Sequence, residues 1–265
     1  MPGMTKMLVD NWQKFADNFK RKMDQKVSCI IPAHNEAKTI VGVVEACLKT
    51  EKIGEVIVVN DGSSDKTLDK LQPFAQKIKI INLSENQGKG YAVSMGIEKA
   101  KYPFLLFLDA DLLNLSPHHL YSLVNPVLEN KADVTIGVLV TPFNYYYASW
   151  PFSGQRCLRK KDVLKLLKKM KKTKYGLEVF LNERLKNKRT IIIPLIFSQN
   201  SHLTKPRKQK DWLYAYIKEI WDIFQQTIAV KSLVYREQVQ KEFVKALSLY
   251  LKINYLKLKK YLLEE

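Results

Sequence analysis

From residue 27 onward the chain sets short apolar runs against amphipathic stretches. The runs at 27–31 (VSCII), 55–60 (EVIVVN), 77–83 (KIKIINL), 104–108 (FLLFL) and 132–140 predict strands. A run without polar alternation is the mark of a strand buried on both faces. Between the runs, helical patterning covers about 37–49, 66–76 and 91–101, and resumes after Ser116. Asp65 suits the N-cap of the second helix. Ser116 followed by Pro117 makes a favoured start for the fourth. Strand and helix alternate from 27 to 140, so the expected class is α/β. Its sheet is Rossmann-like and mostly parallel, with helices on both faces.

The polar residues fall where these strands end. Phe104 to Leu108 is followed at once by Asp109, Ala110 and Asp111. An unpaired carboxylate is too unfavourable for the core, so the two acids belong at the strand's carboxyl end, where open α/β sheets bind ligands. One residue apart on a strand, they would leave it on the same side. Such a pair can offer oxygens to a hard cation, Mn²⁺ or Mg²⁺. His34-Asn35-Glu36 and Asp61-Gly62-Ser63 follow the first and second strands in the same way. Sheet geometry then lines all three clusters along one edge.

After Val140 the pattern changes. Residues 141–152 are rich in aromatics and read as a loop or flap. Ser153-Gly154-Gln155-Arg156 opens an expected basic amphipathic helix, with Leu158, Val163, Leu166, Leu167 and Met170 along one side. Tyr175-Gly176 breaks it. A second helix carries Leu177, Glu178, Leu181 and Arg184, a last strand covers 190–197, and a polar loop at 198–210 holds His202. Residues 1–26 space Leu8, Trp12, Phe15, Phe19 and Met23 as an amphipathic helix, suited to packing on the domain or lying on a membrane. Residues 211–265 read as a helical extension. The expected division is therefore 1–26, 27–210 and 211–265.

With 265 residues, 46% of them hydrophobic, the chain can form one large core with appendages. A net charge of +18 changes the picture more, since much of the excess crowds between Arg156 and Lys174. Such a field favours phosphates, nucleic acid or an acidic membrane; its plain alternative is a solvated lysine surface. Cys29, Cys47 and Cys157 show no metal spacing and read as small apolar fillers in a reducing compartment. No apolar run approaches the roughly 18 residues of a membrane span, and the N-terminus lacks a signal-peptide layout. The expected location is cytoplasmic, with peripheral attachment to the inner face of the membrane as an option. A dinucleotide-dependent oxidoreductase is disfavoured, because no G-x-G-x-x-G follows the first strand.

VSCIIPAHNE, VIVVNDGSSD, ENQGKGYAVSMGI and LFLDAD, in this order and spacing, resemble the family 2 glycosyltransferases of GT-A fold. The resemblance covers 27–210, with 27–140 as the nucleotide-sugar part and 141–210 as the acceptor part. SGQRCLRKKDV resembles the acceptor-side G-x-R segment of polyprenyl-phosphate glycosyltransferases and glucosyl-phosphoglycerate synthases. What the resemblance implies can be assigned residue by residue. Pro32, His34 and Glu36 look like the group that closes around base and ribose. Asp61 looks like the acceptor of the base ring N–H; its plainer role is capping Ser63 or Ser64. Gly88 and Lys89 match the segment that meets ribose and phosphate. Asp109 looks like the acid that reaches sugar or ribose, and Asp111 like the metal ligand, with His202 as a further ligand. Gly154 and Arg156 would face an acceptor phosphate.

Sugar transfer needs a neutralised leaving diphosphate and an oriented acceptor oxygen. Many family members carry E-D-x-x-L-x-x-R for the second task. Here Leu177-Glu178-x-x-Leu181-x-x-Arg184 fits that frame, with Glu178 in the Asp position and Leu177 in place of the first acid. Glu178 is then a base or a ligand of sugar hydroxyls; its plainer role is a first-turn acid favoured by the helix dipole. Q-x-x-R-W, the mark of processive synthases, is absent, so transfer of a single sugar is expected. The implied partners are a nucleotide-diphosphate sugar and a lipid-phosphate acceptor or anionic membrane surface, with a homodimer as an option. Two other classes compete: a nucleotide-sugar-binding pseudoenzyme acting through its basic tail, which the intact Asp61, Lys89, Asp109 and Asp111 argue against, and a module using the lysine cluster on nucleic acid, a partner that is not expected.

Overall fold

The computed structural model describes residues 25–140, 153–173, 176–196 and 199–200. The amphipathic stretch at 1–24, the aromatic flap, His202 and the C-terminal extension lie outside the described residues.

The central sheet has seven strands: β1 (Val27–Ala33), β2 (Ile53–Asp61), β3 (Lys79–Leu83), β4 (Phe104–Phe107), β6 (Val134–Val140), β7 (Arg156–Arg159) and β8 (Thr190–Ile196). A small pair, β5 (Leu112–Leu113) and β9 (Gln199–Asn200), stands apart from it. In space the order is β3-β2-β1-β4-β7-β6-β8. β1 to β4 pair in parallel, as do β6 and β8, while β7 runs antiparallel to both of its neighbours. The mostly parallel sheet expected from the alternation is present.

The strands at the middle of the sheet, β1 and β4, are mostly apolar because both faces are covered. Along β1, Cys29 and Ile31 enter one core cluster and Ile30 enters the other. Leu106 and Leu105 of β4 divide in the same way. The first face is covered by α1 (Ile40–Leu48), α2 (Thr67–Leu71) and α4 (Pro117–Leu128). The second is covered by α3 (Lys89–Lys99), α5 (Lys160–Val163), α6 (Leu167–Met170) and α7 (Leu177–Leu185). In α1, Ile40, Val43, Val44 and Cys47 are buried at helical spacing. Each such side chain contributes about 1.5–3 kcal/mol by leaving water. Cys29, Cys47 and Cys157 are free and buried, as apolar fillers would be. Burial pushes the Cys157 thiol well above its usual value, which makes it inert.

Three differences from the sequence reading bear on function. First, Arg156–Arg159 is a strand, not the opening turn of a helix. Cys157 faces one core and Leu158 the other, and partners lie on both sides, so tertiary pairing decides the conformation. The helical stripe is real only from Val163, which packs with Leu166, Leu167 and Met170 on the second cluster. Second, β4 stops at Phe107, so Asp109 and Asp111 leave from the following turn and the same-side argument for a strand does not hold. Third, α3 begins at Lys89, two residues earlier than expected, which places that lysine in the first turn of the helix. Smaller changes have local causes: Pro73 lacks the helical donor, and the second helix gives way to a 3₁₀ turn at Gln72–Phe74. Ser116 forms a capping box with His119 at the start of α4.

Candidate active site

Three loops leave the carboxyl ends of neighbouring strands and are laced together. After β1, the His34 ring donates from Nδ1 to the Asp61 carbonyl at 2.7 Å. That tautomer leaves Nε2 to accept from the Asn35 amide at 3.1 Å. Asn35, at φ 57°, donates its backbone N–H to Ser63 Oγ at 2.9 Å, and its Oδ1 accepts from Ser64 N–H at 2.8 Å. The Glu36 N–H donates to Thr67 Oγ1 at 2.8 Å, while its carboxylate accepts from Thr39 Oγ1 at 3.0 Å. At the end of β2, Asp61 is buried and accepts from the N–H groups of Gln87 and Gly88 at 2.8 and 2.9 Å. It therefore holds the turn into α3 rather than capping Ser63 or Ser64. Gly88 sits at φ 92°, which a side chain would disfavour, and this lets the turn present its N–H to Asp61.

The charges meet where α3, β4, β7 and α7 converge. Lys89 Nζ lies 2.5 Å from Asp109 Oδ1 and 2.5 Å from Glu178 Oε1. Burial pulls this ammonium down, but the Asp109 and Glu178 carboxylates more than offset it and hold its pKa above the usual lysine value. The other oxygen of Asp109 accepts from Gln155 Nε2 at 2.7 Å. Between these residues passes Gly154, where any Cβ would collide with the Asp109 carboxylate and Lys89 Nζ. Arg156 is 1% exposed; its Nε donates to the Ser153 carbonyl at 2.7 Å and its Nη1 to Asn182 Oδ1 at 2.5 Å. Pro32, Lys89, Asp109, Gly154, Arg156 and Glu178 line one cleft.

Six of the residues picked out by sequence thus share one cleft, although they come from widely separated segments. His34, Glu36 and Asp61 belong to the adjoining loops, bonded to protein partners as described. Asp111 is buried, 3% exposed, just before β5. Among the described residues, no three His, Cys, Asp or Glu side chains converge as a metal cluster. His202 lies outside them, but β5 pairs Leu112 with Asn200, which brings the chain shortly before His202 beside the residue following Asp111. Sequence reading missed Gln155 and Asn182. Asn182 stands four residues after Glu178 on α7, a spacing that shares a helix face and could have marked it. Gln155 carried no such signal while its segment was taken as helical.

A doubly covered, mostly parallel sheet with charged loops at its carboxyl edge is an open α/β architecture, here of GT-A type. The chain belongs to glycosyl transferase family 2, whose model matches residues 28–177. It is 38% identical over 100 residues to a dolichyl-phosphate beta-glucosyltransferase of Drosophila melanogaster, covering 32% of this chain and 31% of that protein. It is 34% identical over 88 residues to a poly-beta-1,6-N-acetyl-D-glucosamine synthase of Staphylococcus epidermidis, covering 32% and 21%. The matches thus span less than a third of those relatives' length. In three dimensions it is similar to glucosyl-3-phosphoglycerate synthase of Mycobacterium tuberculosis, solved with Mn²⁺, uridine diphosphate and glucosyl-3-phosphoglycerate. The TM-score is 0.59 at 18% identity, covering 77% of this chain and 81% of that one.

Proposed function

We propose that this protein transfers a single sugar from a nucleotide-diphosphate sugar to a phosphate-bearing acceptor. The observation that carries the reading is the Lys89 ammonium held between Asp109 and Glu178 in the cleft that Arg156 also lines. The acceptor oxygen bonds to the anomeric carbon as the bond to the diphosphate breaks, and the electron pair leaves with the diphosphate. Lys89 offsets the charge that develops there. Asp109 orients sugar or ribose hydroxyls. Arg156 anchors the acceptor phosphate through charge-assisted hydrogen bonds. Glu178 has a task set by the acceptor: an attacking hydroxyl must give up a proton, which Glu178 can take, whereas an attacking phosphate oxygen carries none and leaves Glu178 to hold the sugar. Pro32, His34, Glu36, Asp61 and Gly88 shape the nucleotide side. Asp111, with His202, would hold Mn²⁺ or Mg²⁺; the carboxylate suits either cation, and the imidazole suits Mn²⁺ better. Such a cation supplies further neutralisation of the diphosphate.

The test is a thermal-shift screen of nucleoside diphosphates and their sugars with and without Mn²⁺, followed by donor hydrolysis. A ligand that binds only the folded state raises the unfolding midpoint by mass action, so one nucleotide should stand out and depend on the metal. A pseudoenzyme would bind without hydrolysing the donor. If no nucleotide shifts the midpoint, the reading fails.

A specific surface favours a lipid-borne acceptor phosphate and peripheral attachment. Arg156 is buried, Arg159 pairs with Asp133 at 2.5 Å, and Lys171 pairs with Glu98 at 2.7 Å, so these leave the basic patch read from sequence. Lys161, Lys165, Lys168, Lys169 and Lys172 remain exposed with Leu164, which is 46% exposed, opposite the buried Val163 and Met170. Lys171, 5.5 Å over the Tyr91 ring, ties this segment to α3, the helix that begins at Lys89. Basic residues near an anionic bilayer contribute about 1 kcal/mol each. The protein should sediment with anionic but not neutral vesicles and be released by salt. Joint replacement of Lys165, Lys168 and Lys169 by Gln should reduce the bound fraction severalfold. Equal behaviour with both vesicles would make the stripe a solvated surface and the acceptor a soluble phosphate compound.

A further inference from the structure

Gln155 is 3% exposed and lies between the two halves of the site. Its amide N–H donates to Asp109 Oδ2 at 2.7 Å, and its Oε1 is 2.6 Å from Ser153 Oγ. The Ser153 hydroxyl has one proton and a second acceptor within reach, the Gly137 carbonyl, so this link has two arrangements, while the Ser153 carbonyl accepts from Arg156 Nε at 2.7 Å. With that proton on Gln155 Oε1, Asp109, Gln155, Ser153 and Arg156 form one continuous chain of bonded groups; with it on the Gly137 carbonyl, the chain opens at Ser153. The remaining oxygen of Asp109 is held by Lys89. So this carboxylate has one partner from the helix that enters the donor side and one from the residue just before the strand that carries the acceptor-side arginine. Gly154 removes slack, because it packs directly on Asp109 and Lys89. Few side chains could fill the position between them. Glu lacks the N–H that Asp109 accepts, and Leu lacks both donor and acceptor.

We propose that Gln155 is a positioning residue that couples the two subsites: an anion held by Arg156 resets, through Ser153 and Gln155, the Asp109 carboxylate that the donor meets. The inference rests on the functional reading above, since it takes Arg156 as the acceptor side and Asp109 as the donor side. Coupling of this kind is reciprocal, so the donor changes anion affinity by the same factor. Contiguous hydrogen-bonded groups with more than one arrangement are the physical means by which such coupling travels.

The experiment measures Kd for uridine diphosphate in Mn²⁺, with and without sulfate as a tetrahedral anion probe. The ratio of the two constants is the readout, whatever the absolute affinities. In the unmodified protein the ratio should depart from unity by about fivefold or more. In Gln155→Leu it should fall to near unity. Ser153→Ala is the second variant, in case the first folds poorly. It keeps the Gln155–Asp109 bond but cuts the middle of the chain, and it too should bring the ratio to near unity. A residue that merely filled space would leave the ratio at its original value in both variants, and that result would overturn the proposal. So would a ratio of unity in the unmodified protein. Failure of uridine diphosphate and every other nucleoside diphosphate to bind would instead strike the functional reading, and this inference would fall with it.

Discussion

Lys89→Met should lower kcat/KM for sugar transfer by about 10²–10³-fold, the loss typical when a preorganised group facing transition-state charge is removed. Methionine is unbranched and one atom shorter, so it keeps most of the side chain's reach while deleting its charge and donors. Two consequences follow from the geometry. The leaving diphosphate loses a cation that already stands in the cleft, so no reorganisation can replace it. Asp109 Oδ1 and Glu178 Oε1, now each 2.5 Å from one ammonium, would face one another as like charges with nothing between them. Lys89→Arg should not restore the rate, since a planar guanidinium cannot sit as a point charge between two carboxylates. Steady-state kinetics with the donor found by the thermal screen would check both variants. Retention of kcat/KM within threefold in Lys89→Met would mean that the ammonium is a structural tie.

Asp111→Asn should abolish the Mn²⁺-dependent part of donor binding. The residue is 3% exposed, so a residue of equal volume is the right probe; alanine would add a cavity to the loss of charge. A neutral amide is a poor ligand for a hard divalent cation, and replacing even an outer-shell partner lowers metal affinity by about 10–100-fold. With Asp111 in its proposed role as ligand, its loss should therefore move a Mn²⁺ titration, followed by donor binding, by about 100-fold or more. Binding measured in a chelator should change far less, because base and ribose contacts remain. If the Mn²⁺ titration of the variant overlays that of the unmodified protein, the cation is held elsewhere.

Much of the architecture was legible because it depends on short-range rules. Strands buried on both faces need uninterrupted apolar runs, and the runs at β1, β2 and β4 are unmistakable. Their polar ends then had to gather at one edge. Lys89, Asp109, Arg156 and Glu178 could be assigned to one site because each stands in a motif of fixed spacing, although the motifs lie far apart in the chain. What was hidden depends on partners distant in sequence. Arg156–Arg159 is four residues long with both faces buried, too short for any periodicity to separate strand from helix. Its conformation is settled by the backbone of β4 and β6. Asp61 could be recognised as a strand-end acid, but its bonds to Gln87 and Gly88 follow from the path of a turn some 26 residues later. Gln155 became visible only once its segment was extended and lay against Asp109.

The reversed strand β7 has a consequence for any shortened form of this chain. Among the described residues it is the strand that joins the β3-β2-β1-β4 block to the β6-β8 pair, since the sheet runs β4-β7-β6. A chain ending before Arg156 would keep β4 but leave its outer edge bare, with Phe104, Leu105, Leu106 and Phe107 (FLLF) presenting unpaired N–H and C=O groups. An open, apolar edge of that kind is a template for strand addition from other molecules, and thus for aggregation. The four residues that deliver Arg156 to the cleft are also the ones that seal the growing sheet. A soluble minimal fragment must therefore run past Arg159, and during synthesis β4 stays a hazard until that seam has emerged and docked.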